Sequence, residues 1–348
     1  MNARAVESRP GYYSKSADRL LGRFLATRVK IYGAFPGYFQ IDILWIEPLD
    51  FHPKAGSVPH ASEDAMIAYL NDRFLREEEI RISPDDRGFL FADALYEVVR
   101  SYEGRLFEAR AHWDRLGYGA TALRFKQVDF HDLTEVAETL IRENGLTRGD
   151  ATVYVQVTRG QAPRSHAFPP PETPLTLYAS ARPFVPRRSP LEGVSVILVP
   201  DQRWSRCDIK TVGLTANILA HQQAIDRHAS EALFVRDGAV MEGTHTNLFC
   251  VLGGTVVTPP RTNYILGGIT RRVVLELCRD LSIPFSEGPI FESQILEAEE
   301  IMVVGTTMEI TPVLTVNGQS LRPGAPGEVT RRLSRAFREK VAAVGIEP

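Results

Sequence analysis

A chain of 348 residues is long enough for about two domains, and its 44% hydrophobic and 24% charged content is that of an ordinary globular protein. A formal charge of -3, with acidic and basic residues well mixed, gives no electrostatic reason to expect nucleic acid or an anionic membrane as a partner. No stretch approaches the roughly 18 apolar residues of a membrane span, and Arg23 and Arg28 break the one apolar run near the N-terminus, so the expected location is cytoplasmic.

Residues 1–65 are rich in aromatics and proline and hold no sustained helical or strand period. They read as an N-terminal extension without fixed order, or as sequence upstream of a start at Met66; the competing reading is a docking arm or lid. From Met66 the pattern sharpens. Met66–Tyr69 and the run from Phe74 flank an Asn71-Asp72 turn and predict a hairpin, and residues 86–99 lead into a second hairpin at Tyr102-Glu103-Gly104-Arg105. His112–Leu123 and Asp132–Asn144 predict helices, the latter with Leu133, Val136, Ala137, Leu140 and Ile141 on one side and Gly145 as its stop. Thr152–Thr158 and Leu175–Ala179 predict strands. A linker over 183–193, carrying Pro183, Pro186 and Pro190, divides a smaller domain (66–182) from a larger one (194–348).

Beyond the linker, Val194–Val199 predicts a strand, and Leu214–His228 a helix with Leu214, Ile218, Leu219 and Ile225 on its apolar side. Hairpins turn at Asp237-Gly238 and Gly253-Gly254. Thr270–Leu281 is an amphipathic helix, Ile301–Val304 a buried strand, and Val329–Val344 a closing helix. Strands in runs with helices attached, rather than strict alternation, predict an α+β fold.

Phosphate-loop, nucleophile-elbow, zinc-protease and dinucleotide motifs are all absent. Cys207, Cys250 and Cys278 have no metal-ligand spacing and suit a reducing compartment. His52, His60, His112, His131, His221, His228 and His245 also lack ligand spacing and read as structural or exposed, so no metal is expected. Basic residues are mostly arginine; only six lysines occur. A lysine is usually a solvated surface charge, but Lys210 follows Arg203-Trp204-Ser205-Arg206-Cys207-Asp208-Ile209. Apolar Trp204 and Ile209, with like charge from Arg203 and Arg206, would favour a neutral, nucleophilic amine.

Leu266-Gly267-Gly268-Ile269-Thr270 runs into a helix and could cradle a phosphate on free N–H groups, with Thr270 as a further donor, although such a turn more often only starts a helix. Glu242 lies in a strand beside Gly243 and Thr244-His245-Thr246, where a small residue suggests close approach of a polar ligand; a carboxylate on a strand more often faces solvent. Arg164 and His166, two apart on a loop, can converge on one carboxylate, or form only a basic loop.

Taken together, DRGFLFADALYEVVR, HWDRL, VYVQVTRGQAPRSHAFP, RWSRCDIKTVGLTANILAHQQA, VMEGTHTNLF, NYILGGITRRVV and GTTMEITPV resemble the fold-type IV pyridoxal-phosphate transaminases, in particular the bacterial D-amino acid transaminases. They occur in the family's order over about residues 66–345. The resemblance implies a two-domain enzyme with pyridoxal 5'-phosphate (PLP) bound to Lys210 as a Schiff base. Arg115, Ile269, Thr270 and Thr306 would hold the cofactor phosphate, Glu242 would pair with the pyridine nitrogen, and Leu266 would pack on the ring. Tyr96, Arg164 and His166 would hold the substrate carboxylate, the last two reaching in from the neighbouring subunit of a homodimer. The implied reaction is ping-pong transfer between a D-amino acid such as D-alanine and 2-oxoglutarate, giving pyruvate and D-glutamate. Branched-chain transaminases, (R)-selective amine transaminases and aminodeoxychorismate lyases share the scaffold and stand as alternatives. Residues 1–65 have no counterpart in the family, and Gly305 and Thr244-His245-Thr246 stand where more serine is expected.

Overall fold

The computed structural model describes residues 66–126, 128–186, 191–321 and 324–344; the expectations for residues 1–65, and for 187–190 of the linker, lie outside them. In chain order the first elements are β1 (Ile67–Leu70), β2 (Arg73–Arg76), α1 (Arg87–Phe91), β3 (Ala94–Tyr102), β4 (Arg105–Leu106), α2 (Ala109–Ala122), α3 (Leu133–Glu143), β5 (Asp150–Thr158) and β6 (Thr176–Pro183). The strands form a six-stranded antiparallel sheet in the order β2-β1-β6-β5-β3-β4. Its long pairing, β3 with β5, runs from Ala94 opposite Thr158 to Tyr102 opposite Asp150. Alternation along these strands sends Leu95, Val99, Val153 and Val155 to the face covered by α2 and α3, against Trp113, Leu116, Leu140 and Ile141.

The remaining elements are β7 (Val194–Pro200), α4 (Thr215–Asp226), β8 (Glu231–Arg236), β9 (Ala239–Gly243), β10 (Asn247–Leu252), β11 (Thr255–Thr258), α5 (Ile269–Asp280), β12 (Phe285–Glu287), β13 (Glu300–Gly305), β14 (Glu309–Val316), β15 (Gln319–Ser320) and α6 (Glu328–Ala342). They build a nine-stranded sheet in the order β12-β11-β10-β13-β14-β7-β8-β9, with β15 beside β14 off that path, and β9 then pairs back to β10 through Glu242 and Asn247. The path thus closes on itself. Its enclosed face holds Val196, Leu233, Leu248, Cys250, Ile301 and Val303. The outer face carries Phe249, Met302 and Val304 under α5 and α6, and Ile197, Val199 and Phe234 beside α4. Burial on both faces explains why β10 reads as an unbroken apolar run.

The α+β expectation holds, and both hairpins of the second sheet turn where their glycines predict. Three local readings need correction. Residues 87–91 form one helical turn, because the Asp86 carboxylate accepts from Gly88 N at 2.8 Å and caps it. Strand β6 runs on to Pro183, so the expected linker begins inside the sheet. Helix α4 buries Ala220 and Ala224 and turns Ile218 (64% exposed) and Leu219 (57%) outward. Two alanines let it lie close on β7 and β8, leaving the larger side chains on the far side. Among the described residues no helix is long and apolar enough to cross a membrane.

Candidate active site

Lys210 reaches the site because its segment is stitched onto β3. Tyr96 N donates to Lys210 O at 3.1 Å, Val212 N donates to Ala94 O at 3.2 Å, and Leu95 pairs with Thr211. The ammonium end stands 4.1 Å from the centre of the Tyr96 ring. A cavity of about 180 Å³ opens around Lys210, Tyr96, Trp204, Asn217, Glu242 and Leu266. Four of the side chains singled out in the sequence, Tyr96, Lys210, Glu242 and Leu266, therefore share one cavity wall.

Glu242 lines the same cavity from near the end of β9. Arg203 Nη1 donates to its Oε1 at 2.5 Å, while Asn247 Nδ2 and Leu266 N both donate to Oε2 at 3.0 Å. Burial pushes this carboxyl up to about 7 against the opposing pull of Arg203. Arg203 is itself clamped by Asp201, through Nε at 2.9 Å and Nη2 at 3.0 Å. Arg206 is paired bidentately with Asp208, both contacts at 2.9 Å. The like-charge effect on Lys210 expected from Arg203 and Arg206 is thereby corrected: both guanidiniums are held by carboxylates.

On the other face of β3, Glu97 is fully buried. It accepts from Arg115 Nε at 2.7 Å, from Arg115 Nη2 at 2.8 Å, and contacts His112 Nδ1 at 2.8 Å. Burial alone would raise the Glu97 carboxyl, but Arg115 and His112 outweigh it and hold the group well below the usual carboxylate range. Burial in turn lowers the His112 imidazole. So fixed, Arg115 spends its remaining Nη1 on Gly267 O at 3.1 Å. Arg115, Gly267, Gly268 and Ile269 border a second, wider cavity of about 940 Å³ at the start of α5. Gly268 is the N-cap of α5 and has no side chain to offer its first N–H groups. A Cβ at Gly268 would stand 2.0 Å from Asn247 Oδ1 and would displace the amide that donates to Glu242 and Leu266 O. Thr270 is buried in the first helical turn, and Thr306 follows β13 at a corner where Gly305 approaches the His245 carbonyl.

Arg164 and His166 lie elsewhere in this chain. Both sit against Phe91, Arg164 with its guanidinium 5.3 Å from the ring centre and His166 with ring centres 5.6 Å apart. His166 lines a third cavity of about 550 Å³, whose wall shares Trp204, Thr211 and Gly213 with the Lys210 cavity; Arg164 is exposed and lines neither. The close approach expected at Gly243 is intramolecular: a Cβ there would meet Thr246 Oγ1 at 2.1 Å and the Glu231 carboxylate at 2.8 Å. Glu97, Asn247 and Glu231 went unnoticed in the sequence. Glu97 and Glu231 left a signal, since each occupies an inward position in its strand's alternation, in line with Leu95 and Val99 or with Leu233. A charge in such a place must be partnered.

The profile of the aminotransferase class IV family matches residues 94–316. The D-alanine aminotransferase of Staphylococcus haemolyticus is 36% identical over 278 residues, covering 78% of this chain and 97% of the relative. Among solved structures, the branched-chain aminotransferase of Thermoproteus uzoniensis superposes with a TM-score of 0.72 at 26% identity, covering 80% of this chain and 96% of that one. The branched-chain aminotransferase of Thermobaculum terrenum in its PLP form gives 0.70 at 26% identity, covering 82% and 96%. Profile, relatives and fold agree, and the chain belongs to the class IV aminotransferases, which depend on PLP.

Proposed function

We propose that this aminotransferase moves an amino group from a D-amino acid such as D-alanine to a 2-oxo acid such as 2-oxoglutarate, releasing pyruvate and D-glutamate. The likeness to D-alanine aminotransferases carries the substrate class. The observation that carries the chemistry is the placement of Lys210 and Glu242 on one cavity, with an arginine fixed beside an uncapped helix start.

These residues fit PLP. A primary amine, a buried carboxylate on the same cavity and a cationic, N–H-rich corner are the three contacts that an aldehyde, a ring nitrogen and a phosphate require. When bound, PLP supplies the carbonyl carbon that takes up the amino group and a ring that draws electrons from it. Lys210 Nζ would be the atom that holds that carbon and, when free, the base that accepts the proton leaving the substrate α-carbon and passes it on to the cofactor. Glu242 keeps the ring nitrogen protonated; its Oε1 has one partner, Arg203, and keeps a lone pair for that contact, whereas Oε2 has two. Arg115, the N–H groups of Ile269 and Thr270, and Thr306 anchor the phosphate, and Leu266 bears on the ring. Tyr96 borders the substrate side. The donor leaves as its 2-oxo acid before the acceptor binds, which is the ping-pong order.

Arg164 and His166 complete the carboxylate site across the interface of a homodimer in this reading. Their position on Phe91, Arg164 off the Lys210 cavity, agrees with service to a neighbouring subunit. The outward Ile218, Leu219 and Ile225 of α4 offer apolar surface of the kind an obligate dimer buries. Fold similarity to branched-chain enzymes supports a second reading, transamination of branched-chain L-amino acids. Mixing the holoenzyme with D-alanine, L-alanine or L-leucine alone, with no acceptor, separates the two. Bleaching of the bound-cofactor absorption by D-alanine supports the first reading, and bleaching by L-leucine alone overturns it.

A further inference from the structure

Beside the Lys210 cavity, three elements bring together a group that the amino-transfer chemistry does not use. His221 projects from α4, Glu231 opens β8, and His245 sits in the turn between β9 and β10. Among the described residues this is the group of histidine and carboxylate side chains whose ligand atoms converge, all within 4.8 Å of one another. His245 Nδ1 is 3.0 Å from Glu231 Oε2, and His221 Nδ1 is 3.8 Å from Glu231 Oε1. Thr244 Oγ1 lies among them, 3.4 Å from His221 Nδ1, 3.1 Å from His245 Nδ1 and 2.5 Å from Glu231 Oε1.

These separations have a meaning for a metal. Ligand atoms around a four-coordinate zinc ion, with bonds of about 2.0–2.1 Å, stand roughly 3.3 Å apart. Glu231 is fully buried; its Oε1 accepts from Ala232 N at 2.9 Å, Thr244 N at 3.1 Å and Thr244 Oγ1 at 2.5 Å, which leaves Oε2, held by Thr246 Oγ1 at 3.0 Å and by the longer His245 N contact at 3.4 Å, as the ligand atom. Its carboxylate is therefore a fixed, oriented donor. The two imidazoles are about 40% exposed and reachable from solvent. Two imidazole nitrogens with one carboxylate select a borderline ion such as Zn²⁺ over Mg²⁺ or Ca²⁺, which want oxygen only.

We propose that His221, His245 and Glu231 form a zinc-binding site that ties α4 to the start of β8 and to the β9–β10 turn. Because His245 also lines the Lys210 cavity, the ion steadies the wall of the active site from behind. The site stands independently of which amino acid the enzyme prefers.

Holoenzyme stripped with a chelator and then dialysed is titrated with ZnCl₂ by calorimetry, and in parallel with CoCl₂, read by the ligand-field absorption of a tetrahedral ion. The expected result is one ion per chain, a tetrahedral cobalt spectrum, and a thermal midpoint that rises with zinc. His221→Ala and His245→Ala should each weaken binding by at least roughly tenfold and remove the zinc-dependent rise of the midpoint, read against each variant's own metal-free value. His131→Ala, at a separate surface histidine, should leave binding intact. Absence of saturable binding overturns the proposal, and so does binding that either His221→Ala or His245→Ala leaves unaltered.

Discussion

Replacing Glu97 with glutamine preserves shape and removes one charge from a closed set of partners. The carboxylate is fully buried and receives both forks of Arg115 as well as His112, at 2.7 to 2.8 Å. Removing one member of a buried ion pair costs about 3–5 kcal/mol, since the other charge is left without its counter-ion. Glutamine still offers one acceptor to Arg115, which puts the loss at the lower end, about 3 kcal/mol. For a chain of this size that corresponds to a thermal midpoint lower by roughly 4 °C. The pH dependence has a definite sign. Glu97 titrates lower in the folded protein than in the unfolded chain, so its contribution is present above the unfolded value, about 4.3, and fades as pH falls toward the depressed folded value. Wild type and Glu97→Gln should therefore differ most at neutral pH and converge in acid. Differential scanning calorimetry of the cofactor-free forms measures both quantities. The double variant Glu97→Gln with Arg115→Gln should recover part of the loss, because two neutral amides can pair. A drop at pH 7 below about 2 °C, or a gap that widens in acid, would refute the reasoning.

Lys210→Ala should abolish the visible absorption of the cofactor-bound protein, and a spectrum like that of wild type would remove Lys210 from the chemistry. Glu242 titrates higher when folded, up to about 7, so the cofactor-free protein keeps that contribution in acid and loses it as pH rises from about 4.3 through 7. Glu242→Gln should flatten that decline, worth between about 3 and 4 kcal/mol at most, and a decline that persists unchanged would assign it to another group. Arg164→Ala should raise KM for carboxylate substrates by roughly ten- to a hundredfold with cofactor content unchanged, the loss of a charge-assisted bond. Loss of bound PLP instead would contradict a substrate role.

What the sequence disclosed and what it hid divide along a physical line. Elements were legible where period and punctuation agreed: Asp237-Gly238 and Gly253-Gly254 sit in turns with positive φ, and α3 and α5 carry apolar residues at helical spacing. Helix α4 misled because its largest apolar side chains are its exposed ones, and amphipathicity alone cannot say which neighbour covers a face. Candidate site residues stood out where a rare residue type met a distinctive neighbourhood, as at Lys210 among few lysines. Their partners did not. Glu97 and Arg115, or Arg203 and Glu242, are drawn together by tertiary pairing, 18 and 39 positions apart in sequence.

Those hidden pairs share a purpose that explains their burial. One chain of contacts runs from Glu97 through Arg115 to Gly267 O; another runs from Asp201 through Arg203 to both Glu242 and Tyr264 O. Both end on the loop 264–268, which Glu242 and Asn247 also hold, through Leu266 N and Leu266 O. A buried ion pair is weak evidence for stability, since desolvation offsets much of its attraction. As a means of placing a loop it is strong, because a guanidinium with two fixed carboxylate contacts has little freedom left for its remaining N–H. Leu266 is thereby set from both sheets at once, one guanidinium braced by Glu97 on β3 and the other by Asp201 beyond β7 and Glu242 on β9. If placement is what these pairs provide, conservative loss at either end should disturb the same loop, and Glu97→Gln and Arg203→Lys should produce overlapping changes in hydrogen exchange at 264–268. Changes confined to the mutated side would mean that the two chains act independently.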